Sequence, residues 1–369
     1  MSKSRLTPLA ESLPSTVPFV GPEAAERARG KGFAARLGAN ESVFGPSPRA
    51  IAAMEEAASD VWMYADPESY DLRAALARHL GISIDEVVVG EGIDSLLGYL
   101  VRLFVTHGDT VVTSDGAYPT FNYHVIGYGG SLMTVPFRDD REDPEALLKA
   151  ATDLNAKLIY IANPDNPMAS HHQANIIDDL IARLPKECLL VLDEAYIEFA
   201  PGGTAPAIDT SNEQVIRMRT FSKGYGMAGA RVGYAFGHRG NIRAFEKVRN
   251  HFGMNRIAQV GALTALADQD YLTEVKATVA ASRDRIASIA SANGLVPLPS
   301  ATNFVTIDCG RNGAFAKAVL EELVARDIFV RMPFAEPGNR CIRVSCGREP
   351  DLDRFAEALP GALEVARSR

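Results

Sequence analysis

Seven short apolar runs recur between residues 87 and 236, and stretches of helical periodicity separate several of them. The runs occupy residues 87–89, 110–113, 132–136, 157–162, 189–192, 215–218 and 231–236. Apolar residues follow one another there with little alternation, which is typical of strands buried on both faces. In 94–105 and 173–184 the leucines and isoleucines instead fall on one helical face. Strands that alternate with helices predict an α/β domain, with a mostly parallel seven-stranded sheet flanked by helices.

The texture of the sequence changes after about residue 240. Residues 258–292 are rich in alanine with interspersed charges, which predicts one long helix or two. A further helix is expected over 313–326, followed by the strand segments FVRM and CIRVSC and a terminal helix. The chain is therefore divided into an N-terminal arm at 1–36, a large domain at 37–250 and a smaller α+β domain at 251–369.

Composition limits the partners and the location of the protein. A net charge of −8 argues against bulk attraction to nucleic acid or to an anionic membrane. No apolar run reaches the roughly 18 residues of a membrane span, and the basic start lacks the apolar core of a secretory signal. The four cysteines form no CxxC pair and no zinc-like spacing with histidine, so no metal site is expected. Scattered thiols of this kind indicate a reducing cytoplasm.

A lysine lies in a glycine-rich loop after the sixth predicted strand, in TFSKGYGMAGAR. Lys223 can form an imine with an aldehyde cofactor if it is partly desolvated, and Ser222 and Arg231 can bind a phosphate dianion. The alternative for an isolated Ser-Lys pair is an ordinary surface lysine. The loop also spells GxGxxG, but that dinucleotide fingerprint needs a helix at the glycines, and the segment RVGYAFG that follows predicts a strand.

Two neighbouring strands are also followed by polar side chains. Asp193 ends the strand of LLVLDEAYIEF, where a carboxylate can pair with a protonated pyridine nitrogen, and Tyr196 follows it. Asn166 lies in the turn NPDNPMAS and offers an amide to a ring oxygen. The alternatives are an aspartate that caps the next turn and an asparagine that only completes a turn.

A fourth segment, VVVGEGIDSLLGYL, leads from a strand through two glycines into a helix that starts near Asp94. Free backbone N–H groups at a helix start bind anions, so residues 92–94 are a candidate phosphate site. The alternative is a helix capped by Asp94 or Ser95 that binds no ligand. All four segments follow predicted strands at their carboxyl ends, where open α/β sheets bind their ligands.

These segments resemble the fold-type-I aminotransferases that use pyridoxal 5′-phosphate (PLP), and within them the histidinol-phosphate aminotransferase branch. The resemblance covers residues 37 to 348. It is carried by LGANESVFGPSP, YADPESYDLR, GEGIDSLLGYL, AYPTF, NPDNPMAS, DEAYIEF, TFSKGYGMAGARVGYA, NRIAQ, SATNF and IRVSCG. It implies that the large domain binds PLP and that the fold is that of the type I PLP transferases.

The resemblance also implies a set of cofactor contacts. Lys223 carries the cofactor as a Schiff base and then moves a proton, Asp193 pairs with the pyridine nitrogen, and Tyr196 contacts the ring 3-oxygen. These three are the catalytic residues. The full cofactor set is Tyr64, Gly92, Ile93, Asp94, Phe121, Asn166, Asp193, Tyr196, Ser222, Lys223 and Arg231. In that set Phe121 stacks on the ring and Tyr64 reaches the phosphate of a neighbouring subunit's cofactor, which implies a homodimer with shared sites.

Substrate contacts follow from the same resemblance. Arg343 takes the substrate α-carboxylate through a bidentate pair, which needs arginine rather than lysine. Asn40, Arg331 and Asn166 lie near the substrate. The sequence departs from the family pattern where the usual NPTG reads NPMA, where Phe121 stands for the usual tyrosine, and where Ser95 replaces an acidic residue. No catalytic group is lost through these changes.

The resulting prediction is an aminotransferase that works by a ping-pong cycle between an amino donor and 2-oxoglutarate. The donor is histidinol phosphate or another amino acid, including an aromatic one. A PLP-dependent lyase or decarboxylase on the same fold would have the same cofactor residues. A PLP-sensing regulatory protein would need a DNA-binding module, for which the 36-residue arm is too short. We expect small-molecule substrates, a homodimer, and neither a nucleic-acid nor a membrane partner.

Overall fold

The structure is a computed structural model, and it describes residues 5–15 and 21–369. Its strands are β1 Ala35–Arg36, β2 Val87–Gly90, β3 Thr110–Ser114, β4 Ser131–Val135, β5 Leu158–Ala162, β6 Leu189–Asp193, β7 Val215–Thr220, β8 Gly233–Gly237, β9 Val296–Pro297, β10 Phe304–Asp308, β11 Ile328–Phe329 and β12 Cys341–Ser345. Its helices are α1 Pro8–Ser12, α2 Pro22–Arg29, α3 Pro48–Ala57, α4 Tyr70–Leu80, α5 Ile93–Phe104, α6 Pro119–Gly127, α7 Pro144–Asp153, α8 Ala174–Ala182, α9 Arg239–Ala244, α10 Arg256–Ala267, α11 Gln269–Ala292, α12 Gly313–Ala325 and α13 Glu349–Ser368.

The seven predicted strands form one sheet in the order β2-β8-β7-β6-β5-β3-β4. Only β8 runs against its neighbours, since it pairs antiparallel with both β7 and β2. The mostly parallel seven-stranded sheet is therefore confirmed. The last strand begins at Gly233 rather than at the predicted residue 231, because Arg231 has a left-handed backbone with φ 57°.

Helices cover both faces of this sheet. Val111 and Val112 are adjacent in β3, yet they belong to different buried clusters, because successive side chains of a strand point to opposite faces. One cluster packs under α5, which contributes the leucines at 96, 97 and 100. The other packs under α7 and α8. Both faces of the strands are dry, which explains why their sequence lacks alternation.

A second unit contains the antiparallel sheet β12-β10-β9 and the parallel pair β1-β11. Helices α12 and α13 and most of α11 supply its core. The predicted helices at 258–292 and 313–326 are confirmed as α10 with α11 and as α12.

Two details of packing bear on the predicted domain boundaries. The strand β1 belongs to the predicted arm, but it pairs with β11 and so joins the second unit. Helix α10 lies beyond the predicted boundary at 250, yet Ala258 and Ala262 pack in one cluster with Val87 and Phe236 of the large sheet. The packing therefore favours a boundary inside α11.

Among the described residues, each helix is too short or too polar to span a membrane.

Candidate active site

A cavity of about 330 Å³ opens where the carboxyl ends of β5, β6 and β7 meet the second unit. The predicted residues that line it are Asn40, Ile93, Asp94, Asn166, Asp193, Tyr196, Ser222, Lys223, Arg231 and Arg343. The structure thus brings together the four segments that follow predicted strands. It adds side chains from the N-terminal segment and from β12, which approach from the opposite side.

Asp193 is the last residue of β6 and is almost completely buried. Its Oδ2 accepts a hydrogen bond from the Tyr160 phenol at 2.7 Å, and its Oδ1 accepts the Ala195 N–H at 2.9 Å. Burial raises the pKa of the Asp193 carboxyl to about 6, although both hydrogen bonds act to lower it. A cationic group placed in the cavity would offset that burial, so the carboxyl is suited to pair with a protonated ring nitrogen.

Lys223 lies in the loop after β7, and its Nζ donates to the Asn40 carbonyl at 2.9 Å. The same Nζ stands 5.5 Å from the centroid of the Tyr196 ring. The amine therefore faces the cavity between residues of the two units, with no carboxylate paired to it in the described part of the chain. A lysine in this setting can react with an aldehyde once it loses its proton.

The phosphate end of the site is built around the start of α5. Gly92 precedes the helix with φ 84°, a left-handed conformation that glycine adopts without strain, and a side chain there would meet the Arg231 guanidinium. Arg231 donates to Ser222 Oγ at 3.4 Å and pairs with Asp94 at 3.2 Å. The first-turn N–H groups, the hydroxyl and the guanidinium are together suited to bind a dianion.

Arg343 lies on β12 and is buried beside the cavity. Its Nη1 donates to the Asn166 amide oxygen, and its Nη2 donates to the Gly38 carbonyl at 3.4 Å. Its Nε is buried with no hydrogen-bond partner among the described residues. Burial lowers the pKa of Arg343 to about 10, since no carboxylate compensates the charge. A buried guanidinium at a cavity edge is a receptor for an anionic ligand.

The loop after β5 holds Asn166 rigidly. Asp165 accepts hydrogen bonds from the backbone N–H groups of Met168 and Ser170, at 2.8 Å and 2.9 Å.

Arg331, predicted near the substrate, does not line the cavity. It lies next to Arg343 through two backbone hydrogen bonds, and its guanidinium stands over Phe329 at 5.4 Å. Its predicted contact with the substrate stays a prediction.

The predicted stacking role of Phe121 is corrected by the structure. Phe121 is fully buried in α6 and stacks on the Tyr160 ring at 4.4 Å, so it lies in the core of the sheet. Tyr118, three residues earlier, lines the cavity instead and donates its phenol proton to Asp94 at 2.7 Å. The helix starts at Pro119 and turns Phe121 inward.

Tyr64 does not line this cavity. Its side chain is 79% exposed and packs against Phe252 at 4.8 Å between ring centroids. Its carbonyl accepts a hydrogen bond from Arg256 at 2.8 Å. The predicted contact with a second subunit's cofactor stays a prediction.

Sequence reasoning missed Tyr160 and Ser345. Tyr160 interrupts the apolar run LIYIA, and a phenol in a strand that is buried on both faces needs a hydrogen-bond partner. That signal was available and points to the neighbouring strand end. Ser345 gave no comparable signal, because its role depends on contact with a residue 305 positions away.

Known proteins match this chain along nearly its whole length. The family model "Aminotransferase class I and II" matches residues 35–359. A histidinol-phosphate aminotransferase of Anaeromyxobacter sp. (strain Fw109-5) is 34% identical, covering 95% of this chain and 97% of that protein. One from Moorella thermoacetica is 30% identical, covering 94% of this chain and 90% of that protein. The crystal structure of histidinol-phosphate aminotransferase from Sinorhizobium meliloti in complex with pyridoxal-5′-phosphate is 54% identical, with a TM-score of 0.96 and 99% of each chain covered.

Proposed function

The chain belongs to the class I and II aminotransferase family and is a PLP-dependent aminotransferase, and from this premise we propose that it transfers the amino group of histidinol phosphate to 2-oxoglutarate. One observation carries the proposal. The relatives that match in sequence and the solved structure that matches in fold are all named histidinol-phosphate aminotransferases. The buried cation Arg343 supports an anionic partner such as 2-oxoglutarate.

The residues of the cavity fit PLP. When bound, PLP supplies an aldehyde that takes up the amino group and a ring that withdraws electrons from the reacting carbon. Lys223 is the amine for that aldehyde, and Asp193 is the carboxylate for the ring nitrogen. The start of α5, with Ser222 and Arg231, matches the phosphate.

We assign the proton transfer to Lys223, whose Nζ already lies inside the cavity. Tyr196 and Asn166 are assigned to the ring 3-oxygen, because both line the cavity and both can donate a hydrogen bond. Tyr118 is assigned to the ring face in place of Phe121.

The two proposed substrates carry different anions. 2-Oxoglutarate, like the glutamate formed from it, has a carboxylate next to the reacting carbon, which Arg343 can bind through two parallel hydrogen bonds. Histidinol phosphate has no carboxylate, so its phosphate requires other donors at the mouth of the cavity.

We propose that the working form is a cytoplasmic homodimer in which Tyr64 contributes to the partner subunit's site. Inactive Lys223→Ala chains are then mixed with inactive Tyr64→Ala chains. In each mixed dimer, one of the two sites contains neither change, so mixing should restore up to about a quarter of wild-type activity.

The substrate assignment is tested with single half-reactions. The PLP form is mixed with one donor at a time, and the loss of its visible absorption band is followed. Histidinol phosphate should react with a kcat/KM at least about tenfold above those of histidinol and phenylalanine. Histidinol is the matched control because it lacks only the phosphate. A faster reaction with phenylalanine would move the assignment to an aromatic aminotransferase, and release of carbon dioxide or ammonia would indicate a lyase.

A further inference from the structure

Asn40 connects the two units of the protein at the edge of the cavity. Its carbonyl accepts hydrogen bonds from Lys223 at 2.9 Å and from the Asn303 amide at 3.1 Å. Its side-chain amide nitrogen donates to the Tyr196 hydroxyl at 3.1 Å. Asn40 is 3% exposed and has a left-handed φ of 57°, so it is held in one place by its surroundings.

Ser345 fixes which end of the Asn40 amide faces Tyr196. The backbone N–H of Asn40 donates to Ser345 Oγ at 3.0 Å, and Ser345 Oγ donates in turn to Asn40 Oδ1 at 2.9 Å. Ser345 is 3% exposed, so its proton needs an acceptor, and Oδ1 is the one it has among the described residues. With Oδ1 occupied in this way, the amide N–H₂ group points at Tyr196.

This arrangement sets the direction of the Tyr196 proton. A phenol has one proton to donate and lone pairs to accept. Since the Asn40 amide donates to the Tyr196 oxygen, the Tyr196 proton must point elsewhere. Tyr196 is held edge-on against Phe304 at 5.5 Å between centroids, and its remaining open side is the cavity. The phenol is thereby prepared to donate to a ligand atom.

We propose that Ser345 and Asn40 form a directional hydrogen-bond relay that makes Tyr196 a donor into the cavity, with Ser345 as a positioning residue. The relay rests on the proposed contact of Tyr196 with the PLP 3-oxygen, and it is independent of which amino donor the enzyme uses. It also ties the second unit to the cofactor site, because Ser345 ends β12.

The relay is tested without any substrate, by the pH titration of the visible absorption band of PLP bound to Lys223. A hydrogen bond from Tyr196 stabilises negative charge on the 3-oxygen, and without it that oxygen holds the neighbouring proton more tightly. Tyr196→Phe should therefore raise the titration midpoint by about one pH unit or more. Ser345→Ala frees the Asn40 amide to turn over, and should raise the midpoint by roughly half a pH unit to one unit.

Controls separate this relay from loss of stability. Lys223 carries the group that titrates. The other titratable groups that interact with Tyr196, Arg343 and Tyr118, are unchanged in the variants, so their effects on the titration cancel. Ser282→Ala removes another buried hydroxyl, which bonds to the backbone of Gly347 and to the Cys346 side chain, and should leave the midpoint where it is. Ser345→Thr retains a hydroxyl and should restore most of the wild-type midpoint.

The possible outcomes distinguish the two claims. If Tyr196→Phe does not move the midpoint, the proposed role of Tyr196 is wrong. If Tyr196→Phe moves it and Ser345→Ala does not, the relay is wrong and Ser345 is only structural. If Ser345→Ala does not fold, Asn40→Gly removes the amide at a position whose left-handed backbone glycine accepts, and should shift the midpoint in the same direction.

Discussion

The floor of the cavity and its opposite wall are built in different ways. The floor consists of Asp193, Lys223 and Asn166, which lie at or just after the carboxyl ends of neighbouring parallel strands within one sheet. The wall consists of Asn40 and Arg343, which come from opposite ends of the chain and meet through contacts between two units. The floor is therefore fixed by local chain order and sheet topology, and the wall is fixed by packing.

This difference assigns different tasks to the two regions. The floor supplies groups whose chemistry cannot be replaced, namely an amine and a carboxylate. The wall supplies orientation and charge, through the Asn40 amide, which Ser345 holds, and through the Arg343 guanidinium. Changes in the floor should therefore abolish reaction, whereas changes in the wall should alter affinity or proton position while the reaction survives.

The largest effect is expected for the floor residue Lys223. Lys223→Ala should remove the visible band of the bound cofactor and lower kcat by at least about 10²- to 10⁴-fold, the range for loss of a general acid–base group. The measurements are an absorption spectrum with PLP and a steady-state assay. Lys247→Ala, an exposed lysine of the same domain, is the control and should behave like wild type. Wild-type turnover in Lys223→Ala would refute the assignment of the floor.

A smaller effect is expected for the wall residue Arg343. Lysine keeps the charge but loses the planar fork, so Arg343→Lys should raise the KM for glutamate by roughly 10- to 100-fold, the worth of a hydrogen bond to a charged group. The affinity for PLP should hardly change. Arg340→Lys is the control, because Arg340 pairs with Asp140 and Asp308 away from the cavity. Equal losses for PLP and glutamate would show that Arg343 is structural.

The same difference explains what could be predicted from sequence. The seven strands and the cavity floor follow from apolar runs and from polar residues just after them, because carboxyl ends of parallel strands meet at one edge. The wall residues Asn40 and Arg343 were found only through family resemblance. Periodicity gives no information on contacts across 305 positions, so Ser345 was missed altogether.

The error at Phe121 has a local cause. Tyr118 and Phe121 are both aromatic, and the segment alone does not say which of them turns toward the cavity. The answer depends on the helix start at Pro119, and helix boundaries are the least certain part of a sequence-based assignment. The domain boundary predicted at residue 250 depends on sequence texture, whereas the packing of α10 against the large sheet favours a boundary inside α11.

Tyr160 tests how the floor is supported from beneath. In the protein without PLP, the Asp193 carboxyl has a pKa of about 6, raised by burial from an ordinary 3.8, so its contribution to stability falls as pH rises from about 4 through 6. Tyr160→Phe removes a hydrogen-bond donor that lowers this pKa, so the pKa of Asp193 in the folded state rises further. The contribution of Asp193 to stability then continues to fall above pH 6. The variant should be less stable by about 1.5–3 kcal/mol at pH 8 and by less at pH 5.

Denaturant unfolding of the PLP-free protein at the two pH values measures this difference. Tyr271→Phe is the matched control, since the Tyr271 phenol donates to the neutral carbonyl of Phe44 at 3.0 Å. Its cost should be the same at pH 5 and pH 8. A pH-independent cost in Tyr160→Phe would mean that the phenol does not act through the charge of Asp193.

The smallest effect is expected at Ala169, where the loop after β5 meets the second unit at a contact that we call the junction. Ala169 is fully buried with a left-handed φ of 65°, and its carbonyl accepts the Ala301 N–H at 2.9 Å. Glycine would relieve about 1–2 kcal/mol of backbone strain. It would also lose about 0.8 kcal/mol of methyl burial and about 0.4–1 kcal/mol through the freer unfolded chain. Ala169→Gly should therefore change the free energy of unfolding by less than about 1 kcal/mol.

Thermal and denaturant unfolding of this variant show whether the junction is strained. Asn155→Gly is the control, because Asn155 has a left-handed φ of 49° at an exposed position, where no methyl burial is lost. A stabilisation well above 1 kcal/mol in Ala169→Gly alone would mean that the protein keeps strain at the junction. The methyl group would then serve to hold the loop of Asn166 against the wall, and the midpoint of the PLP titration should move with it. A change near zero would mean that the junction is only a packed contact, and the assignment of separate tasks to floor and wall would stand.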